Sequence, residues 1–113
     1  MTKTLLASSL CAAAFAFATS TVAGDYLADR HAQRGLQCAQ CHVAEVPSKA
    51  PKMTQCLQCH GGSYEELAKA TADKKPNPHY THLGDKECAV CHKGHRASEL
   101  VCNSCHKFKM QVP

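Results

Sequence analysis

The pattern Cys-x-x-Cys-His occurs four times in the chain, as Cys38-Ala-Gln-Cys41-His42, Cys56-Leu-Gln-Cys59-His60, Cys88-Ala-Val-Cys91-His92 and Cys102-Asn-Ser-Cys105-His106. Of the nine cysteines only Cys11, inside an apolar N-terminal run, lies outside these copies. Three chemistries compete for cysteines so placed: disulfides, structural zinc and covalent haem. A disulfide scaffold gives no reason for the partners of every pair to sit three apart with histidine always next. Zinc explains two Cys-x-x-Cys pairs as a closed tetrahedron but leaves the following histidines without a role. Covalent haem uses every position: two thiols three apart form thioethers to the porphyrin edge, and the next imidazole binds the iron. The spacing therefore implies four c-type haems on Cys38, Cys41, Cys56, Cys59, Cys88, Cys91, Cys102 and Cys105, with His42, His60, His92 and His106 as proximal ligands.

Four histidines remain, His31, His79, His82 and His95. A free histidine is ordinarily a surface or hydrogen-bonded residue. Here their number equals the number of sixth coordination positions, which suggests bis-histidine iron throughout. His95 follows His92 by about one helical turn, on the same side of that macrocycle, so it is expected to reach a different iron. The same spacing in His79 and His82 points to two irons there as well. Met53 and Met110 are the thioether candidates for an axial role, which would raise the potential. With enough histidines available, Met53 reads as a loop residue and Met110 as packing. Histidine on both faces favours low potentials, and two imidazoles leave an iron no open position for a substrate.

Composition says why such a chain needs these groups. A basic start at Lys3, an apolar run over residues 5–17 and small residues at Thr21-Val22-Ala23 describe a secretory signal peptide, residues 1–23, cleaved on export. The run is too short to span a membrane, so no stable insertion is expected. Leu10 before Cys11 argues against lipidation of that cysteine. Residues 24–113 then form one domain of about 90 residues with no Trp or Ile and Phe108 as its single Phe. A domain that short buries only about 60–65% of its unfolded surface, so an apoprotein without haem is expected to be unfolded. Without Lys3 the charge is 12 Lys and Arg against 9 acidic residues, or +3. No dense basic cluster with interleaved aromatics points to nucleic acid. Lys74, Lys75, Lys86 and Arg96 read as partners of haem propionates or as solvated surface.

Regular structure is expected to be sparse. A short helix over 25–33 carries His31, residues 43–55 with Pro47 and Pro51 read as a loop, and a helix over 64–74 starts at a capping box of Ser63 and Glu66. Pro76 and Pro78 close that helix, and Gly84 and Gly94 mark turns. The unequal spacers 43–55, 61–87 and 93–101 rule out a simple tandem array. No β pattern is visible. The fold class expected is mostly irregular with short α-helices.

In the stretches "RHAQRGLQCAQCH", "CLQCHGGSYEELA", "NPHYTHLGDKECAVCHKGH" and "ELVCNSCHKF" the chain resembles the small tetrahaem cytochromes c and the tetrahaem domain of the periplasmic flavocytochrome c fumarate reductases. The resemblance implies a multihaem cytochrome c fold organised around four covalently bound haems, with His31, His79, His82 and His95 as distal ligands. It implies periplasmic electron transfer in anaerobic respiration, from a membrane quinol-oxidising cytochrome to a periplasmic flavoprotein reductase or other cytochromes. No flavin-bearing domain follows before Pro113, so no catalysis is expected of this polypeptide. The alternative is a separately encoded cytochrome subunit for a fumarate- or methacrylate-type flavin reductase. A haem enzyme with one open iron is less favoured, because one spare histidine would have to stay unbound.

Overall fold

The computed structural model describes residues 24–43 and 49–113. The expected signal peptide and residues 44–48 of the expected loop lie outside these. Four short helices come first, α1 (Leu27–Gln33), α2 (Cys38–Cys41), α3 (Met53–Leu57) and α4 (Tyr64–Ala70). Two 3₁₀ turns, Cys88–Val90 and Val101–Ser104, follow. No strand occurs among the described residues.

Each helix is held at its ends by specific polar groups. In α1 the Asp29 carboxylate accepts the Tyr26 N–H at 3.1 Å, and the Ala28 N–H donates to the Gly94 carbonyl at 2.8 Å. In α4 the Ser63 hydroxyl accepts the Glu66 N–H at 3.1 Å, one half of the expected capping box; the Glu66 carboxylate accepts from Lys69 and not from the Ser63 N–H. Its exposed Lys69 reaches Glu65 and Glu66 at 2.8 Å each, pairs of small energetic weight in solvent.

Two boundaries differ from the sequence expectation. The fourth helix ends at Ala70 and not near residue 74. The Thr71 hydroxyl bonds the Leu67 carbonyl at 3.0 Å and the Asn77 amide donates to the Ala68 carbonyl at 2.8 Å. The Asn77 amide takes the carbonyl that the next helical N–H would have used, and the Thr71 hydroxyl shares the Leu67 carbonyl with its own N–H, so the stop precedes both prolines. The loop expected over 43–55 gives way to α3 at Met53, which is helical. Lys52 supplies no cap there; Glu87, 34 residues further on, accepts the Met53 N–H at 2.6 Å.

Ala68 is the one buried hydrophobic residue among those described, while Val43 and Tyr80 are 80% and 83% exposed. Apolar side chains are thus half-buried along the chain and gather in no central cluster. Gly61 and Gly62 turn the chain between α3 and α4 with φ of +85° and +79°. A Cβ at Gly61 would also meet the Leu67 nitrogen at 3.3 Å. The second helix packs on α3, and α3 on the Cys88–Val90 turn, so the first three Cys-x-x-Cys-His turns are neighbours. No helix among the described residues is long and apolar enough to cross a membrane.

Candidate metal centres

All four motifs close the same turn. The histidine N–H bonds the carbonyl of the first cysteine: His42 to Cys38 at 2.8 Å, His60 to Cys56 at 3.0 Å, His92 to Cys88 at 2.8 Å and His106 to Cys102 at 2.8 Å. One turn places two thiols three apart on one side and an imidazole directly after them. None of the eight cysteines is in a disulfide. Among the described residues no three His, Cys, Asp or Glu side chains converge as a zinc tetrahedron needs.

The histidines outside the motifs do not scatter. Each faces one motif histidine: His95 faces His42 at 6.2 Å between ring centroids, His31 faces His60 at 6.0 Å, His79 faces His92 at 6.4 Å and His82 faces His106 at 6.2 Å. His95 is therefore brought to the first motif and not to its near neighbour His92, and His79 and His82 go to two different motifs. Two imidazoles trans to one metal, each at about 2.0 Å through nitrogen, put their centroids about 6 Å apart. The donor set at every motif, two thiols and two opposed imidazoles, fits a covalently attached haem. The ring planes differ between pairs. His42–His95 and His79–His92 are near parallel at 11°, while His31–His60 and His82–His106 cross at 61° and 63°.

Two of the outer rings are fixed from behind. His31 Nδ1 lies 2.8 Å from the Leu27 carbonyl; a carbonyl only accepts, so Nδ1 carries the proton and Nε2 keeps its lone pair for a metal. His79 Nδ1 lies 3.1 Å from the Thr71 hydroxyl. Asn77 Oδ1 accepts the His79 backbone N–H at 2.9 Å, and Tyr64 stands edge-on to the ring at 6.0 Å. Burial, then the nearby His92, holds His79 below the ordinary histidine range. Burial also lowers His92, opposed by the Pro113 backbone and helped by His60 and Arg30. Both stay neutral at neutral pH, the form a metal requires.

The fourth motif faces a cavity of about 640 Å³ that includes His82, Cys102, Cys105 and His106 with Leu83, Val101, Phe108 and Met110. Its volume and apolar lining suit a flat cofactor. Phe108 stacks on His106 at 4.8 Å. Lys86 also lines the cavity, whereas Lys74 pairs with Asp73 at 2.7 Å and Arg96 with Glu99 at 3.6 Å. Burial, then the Cys56 sulfur, pushes the Cys88 thiol up to about 11, and the same causes raise Cys41. Both are thus uncharged at neutral pH, as thioether sulfur also is.

Residues 30–107 match the family described as Cytochrome c3. The chain belongs to the cytochrome c3 family. Membership brings covalent c-type haem and an electron-transfer role that is not itself enzymatic. A protein of Shewanella frigidimarina named "Probable fumarate reductase Ifc3" is 41% identical over 85 residues, 72% of this chain and 14% of that protein. "Cytochrome c-type protein Cgr1" of Eggerthella lenta is 46% identical over 60 residues, 51% of this chain and 27% of that protein. This cytochrome c3 family chain thus spans a small part of each relative's length.

The motif reading did not single out Thr71 and Asn77, and it took Tyr64 only as part of a helix. Tyr64 and Thr71 are seven apart across α4, hence on one face, and that spacing was the available signal. Their target, His79, was not visible from it.

Proposed function

We propose that this cytochrome c3 family chain carries electrons through four low-potential, bis-histidine c-type haems. Cys38 and Cys41 hold the first, with His42 and His95 on its iron. Cys56 and Cys59 hold the second, with His60 and His31. Cys88 and Cys91 hold the third, with His92 and His79, and Cys102 and Cys105 the fourth, with His106 and His82. When bound, each haem supplies reversible one-electron storage on its iron. The polypeptide would attach, orient and space these groups, and the paired histidines would leave the metal no position for a substrate. The observation that carries the reading is the one-to-one facing of four spare histidines with four motif histidines at 6.0–6.4 Å.

The setting is proposed to be the periplasm during anaerobic respiration, reached through the signal peptide of residues 1–23. A membrane quinol-oxidising cytochrome is the donor and a periplasmic flavoprotein reductase or another cytochrome the acceptor. The likeness to part of a protein named a probable fumarate reductase favours a second form of the same role, a separately encoded subunit that feeds a flavin-containing fumarate- or methacrylate-type reductase. Intact mass with a pyridine haemochrome assay tests the reading. Four covalent haems with a wholly low-spin ferric spectrum are expected; fewer haems, or one that binds CO in the unaltered protein, would defeat it. Co-purification with a flavoprotein separates the two forms.

A further inference from the structure

The Thr71 hydroxyl stands at the end of α4 with His79 Nδ1 at 3.1 Å. Three oxygens compete for its single proton: Asn77 Oδ1 at 2.9 Å, the Leu67 carbonyl at 3.0 Å and the Ala68 carbonyl at 3.4 Å. With its proton engaged there, the hydroxyl presents a lone pair to the ring and accepts from Nδ1–H. Among the described residues His31 is bonded this way too, but by the Leu27 main-chain carbonyl, which no substitution can remove. Thr71 is thus a place where a side chain, open to change, stands behind a spare histidine.

We infer that Thr71 is a positioning residue that sets the potential of the third haem through the His79 ring. The inference rests on the His79–His92 ligation proposed above. An acceptor on Nδ1–H shifts electron density toward Nε2 and makes it a stronger donor to iron, which favours the ferric state and lowers the potential. Donation by the hydroxyl to Asn77 or Leu67 strengthens its own accepting lone pair, so the chain of bonds acts in one direction. Asn77 Oδ1 takes both the Thr71 hydroxyl and the His79 backbone N–H, so one cluster holds the ring and its backbone together.

The test is spectropotentiometry of the four-haem protein with Thr71→Val and Thr71→Ser. Valine keeps the shape and removes the acceptor; serine restores it. One of the four potentials is expected to rise in Thr71→Val while the spectrum stays low-spin, and Thr71→Ser is expected to bring it back. Four unchanged potentials in Thr71→Val, or an equal rise in Thr71→Ser, would overturn the inference. Should Thr71→Val not mature, the fully reduced, unaltered protein decides by NMR. A slowly exchanging His79 Nδ1 proton with a cross-peak to the Thr71 methyl is expected, and its absence overturns the inference. A high-spin third haem in the unaltered protein would instead defeat the ligand reading, and this inference with it.

Discussion

The third and fourth centres are built from the same five-residue motif, yet the chain supports them in opposite ways. Around His79 and His92 the chain supplies a helix end, a hydroxyl, an amide and a phenol, and both rings are half-buried. Around His82 and His106 both rings are exposed, and no hydrogen bond to either ring nitrogen occurs among the described residues. Support there comes from one apolar stack, Phe108 on His106, and from the open cavity wall. Each centre has an asparagine clamp, but the clamps grip different things. Asn77 ties α4 to the His79 backbone. Asn103 exchanges two bonds with the Phe108 backbone, at 2.8 and 3.0 Å, and so holds the stacking ring. Under the proposed ligation, the motif would specify attachment, while the surrounding segment decides how firmly the opposite histidine is oriented.

The largest test of that contrast is ligand removal. His79→Ala and His82→Ala are each expected to leave four covalent haems and to turn one of them high-spin and able to bind CO. Melting should separate the two: the His79 variant also loses the Thr71 bond and unfolds at distinctly lower temperature, the His82 variant near the parent. Equal losses would show that the network around His79 contributes no orientation. Next in size are the clamps. Asn77→Ala leaves the carbonyl of the buried Ala68 without its amide donor and is expected to cost about 1–3 kcal/mol in denaturant unfolding. Asn103→Ala, at an exposed site, is expected to cost less than about 1.5 kcal/mol and to disturb the fourth haem alone.

Acid gives a smaller, graded effect. Above the ordinary histidine value of 6.5, His79 and His92 are neutral whether the chain is folded or not. Below it the unfolded chain takes up protons that the folded chain, with both values lowered, refuses, so stability falls with pH. The melting temperature of the haem-loaded protein is expected to drop as pH is taken below 6.5, since coordination would hold the same rings unprotonated in the folded chain, and a flat profile would show that unfolding frees no imidazole to take up protons. The subtlest contrast costs no stability. Parallel imidazoles split the iron orbitals that carry the unpaired electron more than crossed ones do. The 11° pair at the third centre and the 63° pair at the fourth should therefore give different low-spin ferric signals in low-temperature EPR. A single class of signal from all four haems would contradict those ring planes.

Local rules made part of this legible in advance. Ser63 and Glu66 announce the start of α4, and the two residues act on the same turn of chain. Its end is not legible in the same way, because Asn77 reaches back nine residues to the Ala68 carbonyl and Pro76 looks like the stronger stop. The third helix escapes for the same reason, since its N-terminal acceptor is the distant Glu87 carboxylate. The motifs themselves are fully local, five residues closed by one bond. Which outer histidine meets which motif is not local at all. The spacing of His92 and His95 excludes one partner, and only the path of the chain selects another.

That path has a consequence for biogenesis. The Ala28 N–H holds the Gly94 carbonyl, next to His95, and His95 faces His42 although the two are far apart in the chain. Under the proposed pairing, the site of the first motif would be complete only once His95, 53 residues after His42, had joined it, so attachment through Cys38 and Cys41 and completion of the ligand pair would be separate events.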